Sequence, residues 1–99
     1  MSGKGDPNLV HLVDMIKNSL QRRIGEGQRA TAGQYLARFP YLHCREPLVM
    51  DLIYEEYCLR EVNGERVAVD QFCDQYPALR DKVFRQLRYH NFLGNWMHK

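Results

Sequence analysis

Three cysteines, at 44, 58 and 73, and four histidines are the residues of this 99-residue chain best suited to ligate a metal or attack a substrate. His43 and Cys44 are adjacent, with Cys58, Cys73 and His90 as conceivable partners. Structural zinc sites draw their ligands in close pairs from turns, and only one such pair occurs. Cys58 and Cys73 fall in amphipathic stretches, where a cysteine serves as a small hydrophobe. No CxxC spacing is present, so the reading is of reduced thiols, without a disulfide framework or a zinc knuckle. A Cys-His nucleophile pair would need an oxyanion cradle and an orienting third group, and none is visible near Cys44. Glu55, Glu56, Glu61 and Glu65 cluster, but without the glycine-bent acidic loop of a cation site, and are expected on a solvated face. Tyr54 and Tyr57, three apart, are expected as core and core-edge aromatics. The sequence therefore predicts no enzyme: no catalytic residue, no cofactor-binding residue and no metal ligand set.

Binding chemistry has a better candidate at the C-terminal end. Lys82, Arg85, Arg88, Tyr89, Phe92 and Trp96 combine positive charge with aromatic side chains, a composition that suits acidic protein surfaces or phosphate backbones. Fourteen Lys and Arg against twelve Asp and Glu leave only +2, which disfavours nucleic acid as the partner. The distribution is uneven. From Pro47 to Asp74 seven acids face two bases, net −5; from Arg80 to Lys99 five bases face one acid, net +4. The expectation is a partner-binding face for an acidic protein, or contact between copies in a homo-oligomer. A small nucleic-acid-binding protein using the same segment is the alternative.

These residues need helices to position them. Leu9, Val13, Ile16, Leu20 and Ile24 recur at helical spacing, with His11, Asp14, Asn18, Gln21 and Arg22 opposite. Asp6 suits the N-cap, Pro7 the first helical position, and Gly25 and Gly27 the end. Thr31 can cap a short helix carrying Tyr35, Leu36 and Phe39, stopped by Pro40. A third helix from Pro47 closes at Asn63-Gly64; Leu48, Leu52 and Leu59 lie on one side and Met50, Ile53, Tyr57 and Cys58 on another. A helix apolar on two sides must be covered on two sides, so residues 47–62 are expected as the central helix, with Glu56 and Arg60 as a minor i,i+4 pair in a polar gap. Asp70 is expected to cap a second short helix with Phe72 and Cys73, and Pro77 to start the last helix. There Leu79, Val83, Leu87 and the edge residue His90 face inward, and Gly94 and Asn95 break the helix.

Offset by 37 positions, the chain matches itself: Asp14, Ile16, Arg23, Gly27, Arg29, Gln34, Pro40 and Leu42 fall on Asp51, Ile53, Arg60, Gly64, Arg66, Gln71, Pro77 and Leu79. Two copies are too few for a solenoid, so a pseudo-repeated helical hairpin is expected. With no strand-length alternation anywhere, the predicted fold is all-α, a compact bundle of three longer and two short helices.

Leu52-Ile53-Tyr54-Glu55-Glu56-Tyr57-Cys58-Leu59-Arg60-Glu61, followed by Gly64-Glu65, Phe72, Tyr76-Pro77, Leu79 and Gln86-Leu87, resembles a region N-terminal to the catalytic domain in planctomycete-type bacterial serine/threonine protein kinases. Tyr35-Leu36-Ala37-Arg38-Phe39-Pro40 is similar to a Tyr-Leu-x-Arg-Phe-Pro phrase of the same family. The resemblance covers residues 30–90 and implies a regulatory or docking region. The kinase itself is absent: there is no glycine-rich nucleotide loop, no His-Arg-Asp loop and no Asp-Phe-Gly. Where the family continues into a linker and a kinase domain, this sequence ends, at Asn95-Trp96-Met97-His98-Lys99. The implied role is regulation of a cis-linked kinase domain, or recognition of another protein by a free-standing relative.

Residues 1–7 are expected as a flexible N-terminus, 8–93 as a single helical domain and 94–99 as a C-terminal tail. The uninterrupted apolar runs are only a few residues, against about 20 needed to cross a bilayer, and residues 1–8 have no signal-peptide core. A cytoplasmic, non-membrane protein is expected.

Overall fold

A computed structural model of the chain describes the backbone from Pro7 to Met97 and the side chains of residues 8–93. It is all-α: α1 (Pro7–Gly25), α2 (Ala32–Arg38), a 3-10 turn (Pro40–Cys44), α3 (Glu46–Val62), α4 (Val69–Asp74), a second 3-10 turn (Pro77–Leu79) and α5 (Arg80–Met97). Three helices are long and two short, and no strand occurs among the described residues. The chain divides into two compact units between Glu65 and Arg66. The division falls within residues 8–93, the stretch expected to be one helical domain.

In the first unit α3 packs against α1, α2 and the first 3-10 turn. The α1 stripe is Val13, Ile16, Leu20 and Ile24, each at most 3% exposed, while His11, Asp14, Asn18, Gln21 and Arg22 face solvent. Burying a side chain of that size contributes roughly 1.5–3 kcal/mol, so the stripe alone fixes which side of α1 turns inward. The α3 core is centred on Val49, Leu52, Ile53, Glu56 and Tyr57, and none of residues 48–61 is fully exposed. The two apolar sides expected from the sequence are thus flanks: Leu48, Met50, Cys58 and Leu59 are half-buried on either side of a stripe that includes Val49.

Glu56 departs furthest from expectation. Its carboxylate is fully buried, not on a solvated face. One oxygen accepts from the Ala32 amide at the start of α2 (2.9 Å), and the other accepts from Arg60 Nε (2.9 Å). Arg60 also donates through Nη2 to the Ala30 carbonyl (2.9 Å) and approaches Glu65 at 3.3 Å. The pair is a buried clip joining α3 to the entry of α2, so the few tenths of a kcal/mol of a surface i,i+4 pair do not describe it. Thr31 caps α2 as expected, its hydroxyl accepting from the Gln34 amide while the Gln34 side chain accepts from the Thr31 amide. Tyr35 holds α2 on α1 through hydrogen bonds with Ser19 and Arg23.

The two glycine turns share their hydrogen bonds. At the end of α1 the Gln28 amide donates to Arg23 and the Gly27 amide to Ile24; at the end of α3 the Glu65 amide donates to Arg60 and the Gly64 amide to Glu61. Both are Schellman closures with glycine at positive φ, +83° at Gly27 and +91° at Gly64. Phe39 (φ −125°, ψ 67°) and Tyr76 (φ −129°, ψ 66°), 37 residues apart, each precede a proline that opens a 3-10 turn.

In the second unit α4, the second 3-10 turn and α5 pack on one another. Phe72, Cys73, Tyr76, Val83 and Leu87 are buried, and the Phe72 and Tyr76 rings meet at 5.8 Å. Three sequence expectations are corrected here. Asp70 does not cap α4: Ala68 is the N-cap, without a side-chain bond, and Asp70 sits in the first turn. Pro77 does not open the last helix but the 3-10 turn before it, so half-buried Leu79 lies outside α5. Gly94 and Asn95 do not break the helix, which continues through them to Met97; once a helix is propagating, one glycine costs only about 1 kcal/mol. Asp70 and Asp74 serve instead as ion-pair partners of Arg80, at 3.7 and 2.8 Å, tying α4 to the start of α5. The expected Asp6 cap lies outside the described residues.

Candidate functional site

The outer face of α5 carries the binding residues expected from sequence. Val83 (1% exposed) and Leu87 (0%) anchor its inner side, with His90 half-buried at the edge. At 100° per residue that anchoring turns the opposite side outward. There Lys82, Arg85 and Arg88 are exposed, and Tyr89 and Phe92 are 64% and 63% exposed. Residues 85, 88, 89 and 92 are three or four apart, so their side chains adjoin. Trp96 continues this spacing on the helical backbone, but its side chain lies outside those described.

Phe84 is the member of this surface the sequence reading missed. It is half-buried, with the guanidinium of Arg80 6.0 Å from its ring centroid and that of Arg88 at 5.6 Å. Stacking on an aromatic holds an arginine in place at little entropic cost, so Arg88 is presented and not waving in solvent. Asp81, Phe84, Arg85 and Arg88 line a shallow open depression. The signal for Phe84 was its i,i+4 spacing from both arginines. Arg80 is committed to Asp74 and Asp70, and its hydrogen bond to the Asp74 carboxylate holds its guanidinium still further toward the charged form. The exposed cations of the face are Lys82, Arg85 and Arg88, with Asp81 beside them.

The residues weighed for metal or nucleophilic chemistry are dispersed. Cys44 is exposed in the first 3-10 turn, Cys58 is half-buried on α3 and Cys73 is buried on α4. Burial pushes the Cys58 and Cys73 thiols above their ordinary range, which keeps them protonated and poor as nucleophiles. Among the described residues no group of three or more His, Cys, Asp or Glu side chains is placed to hold a metal ion. Of the four glutamates, Glu56 and Glu65 are engaged by Arg60, and no helix of the described residues is long and apolar enough to cross a membrane. Compared with known proteins, the chain matches no family model, no curated protein and no solved structure.

Proposed function

We propose that the chain is a non-catalytic helical protein-interaction or regulatory module of the bacterial cytoplasm, which docks an acidic protein surface on the outer face of α5. The observation that carries this reading is the juxtaposition, on one helix face, of two aromatic rings more than 60% exposed with Arg85 and a ring-stacked Arg88. Exposed aromatics and arginines are the residues that dominate binding energy at protein interfaces, the rings by desolvation and the guanidiniums by pairing with carboxylates. Lys82, Arg85 and Arg88 steer the partner, and Tyr89 and Phe92, with Trp96 beyond them, supply apolar contact. The resemblance to the kinase-associated region supports a regulatory role toward a kinase domain, in cis or as a separate chain.

Photo-crosslinking in the cell of origin tests the reading. A crosslinker replacing Tyr89 or Phe92 should give discrete protein adducts that one replacing exposed Ala37 on α2 does not. Equal adducts from all three positions, or none from α5, refute it. Tight binding of duplex or single-stranded oligonucleotides at low salt, lost in Arg85→Ala/Arg88→Ala, would instead establish nucleic acid as the ligand. A kinase reading frame continuing past Lys99 would make the regulation cis; a stop codon there would make it trans.

A further inference from the structure

A surface of opposite sign lies on the first unit. Lys17 of α1 bridges Asp51 of α3 at 2.6 Å and also lies within electrostatic reach of Glu55 and Asp14. Cys58, one turn beyond Glu55, lies within reach of both Glu55 and Glu61. Asp14, Asp51, Glu55 and Glu61 thus form one acidic ridge along α1 and α3, with Lys17 set among the first three. Asp51, Glu55, Cys58 and Val62 follow one line of α3, and Val62 at its end is 85% exposed. The ridge therefore pairs acids with half-buried Tyr54 and Cys58 and exposed Val62, as the outer face of α5 pairs cations with Tyr89 and Phe92.

We propose that the occupant of the α5 face is a second copy of this chain, whose acidic ridge on α1 and α3 receives Arg85, Arg88, Tyr89 and Phe92. The proposal rests on the reading of α5 as a docking surface and names what docks there. Charge decides the mode of pairing. Two α5 faces set against each other would bring the exposed Arg85 and Arg88 of each copy against those of the other, which like-charge repulsion disfavours. Face against ridge sets arginines against carboxylates. In a two-fold pair each chain gives its α5 and receives its partner's, so the face-to-ridge contact forms twice. That doubling matters because a stable interface takes about 800 Å² from each partner, more than six side chains supply.

The test is the mass of the full chain by light scattering and sedimentation, at about 50 mM and about 500 mM salt. A dimer is expected at low salt, its dissociation constant rising about tenfold or more at high salt. Arg85→Glu/Arg88→Glu should be monomeric, and so should Glu55→Lys/Glu61→Lys, each with the helical circular dichroism of the parent. Mixing the two variants should restore a dimer, because each then offers the surface the other lacks. A monomer under every condition, or a dimer that ignores these reversals, overturns the proposal. A strictly monomeric chain that still crosslinks a different protein through Tyr89 leaves the interaction-module reading standing, whereas a monomer with no α5 adducts ends both.

Discussion

The fully buried carboxylate of Glu56 and the half-buried guanidinium of Arg60 meet at 2.9 Å, and between them they hold the two peptide groups that lead into α2: the Ala32 amide on Glu56 and the Ala30 carbonyl on Arg60. Glu56 above all depends on Arg60, because a lone buried carboxylate keeps its desolvation cost without its partner. Glu56→Ala is expected to lower the unfolding free energy by about 3 kcal/mol and Arg60→Ala by a similar amount. The double variant should lose clearly less than the sum. Urea titration checks this, and single losses below about 1 kcal/mol would mean the pair behaves as a surface bridge.

The end of α1 provides a controlled comparison of two glycines. Gly27 stands at φ +83° and Gly25 at ordinary helical angles, and a Cβ at either meets no atom within 4 Å. The cost of a side chain at Gly27 is therefore purely that of the left-handed backbone, about 1 kcal/mol or somewhat more. Gly27→Ala should lower thermal stability, while Gly25→Ala should leave it unchanged or slightly raise it. Equal melting temperatures for the two variants would contradict the Schellman geometry.

The three thiols should separate in reactivity. Cys44 is exposed, Cys58 is half-buried, accepts a hydrogen bond from the Tyr54 hydroxyl and is pushed up by burial, and Cys73 is buried and likewise raised. Alkylation of the native chain near pH 8, followed by peptide mass spectrometry, should label Cys44 first, with Cys58 and then Cys73 slower by at least about tenfold. Similar rates for all three would mean that these helices open on the labelling timescale.

Lys17 carries a pH dependence. Its hydrogen bond to Asp51 raises the ammonium pKa above 10.5, against a smaller downward push from burial. A base whose folded pKa is raised adds stability that is complete below pH 10.5 and lost as the pH climbs through the higher folded value. Both side chains are partly exposed, so the bridge contributes only about 0.5 kcal/mol. Lys17→Met should be less stable than the parent by about that amount at pH 8, and the gap should close as the pH rises beyond 10.5 and through the raised folded value. A gap that widens with pH would assign the bridge the wrong sign.

Local features were legible because they depend on neighbours in sequence. The spacing of Val13, Ile16, Leu20 and Ile24 is itself the inward face of α1, and the Thr31 box, the Pro40 stop, and Gly27 and Gly64 as helix ends each act within one turn of chain. So does the α5 face, since Val83 and Leu87 fix its inside and thereby place Lys82, Arg85, Arg88, Tyr89 and Phe92 outside. Helix starts were less legible. Nothing in the sequence near Asp70 or Pro77 distinguishes a cap from a first turn, or an α-helix from the 3-10 turn that precedes it.

The sequence by itself determined an all-α chain, the inward stripes of α1 and α5 and the basic aromatic surface left over, because periodicity converts spacing into direction around a helix. Only the tertiary structure decided the fate of Glu56. On a helical wheel it is one more acid beside an arginine, and what buries it is the Ala32 amide, 24 residues distant. The same holds for the acidic ridge, assembled from Asp14 on α1 and Asp51, Glu55 and Glu61 on α3 only when those helices pack. A surface charge pattern belongs to neighbours in space, and no period along one helix encodes it.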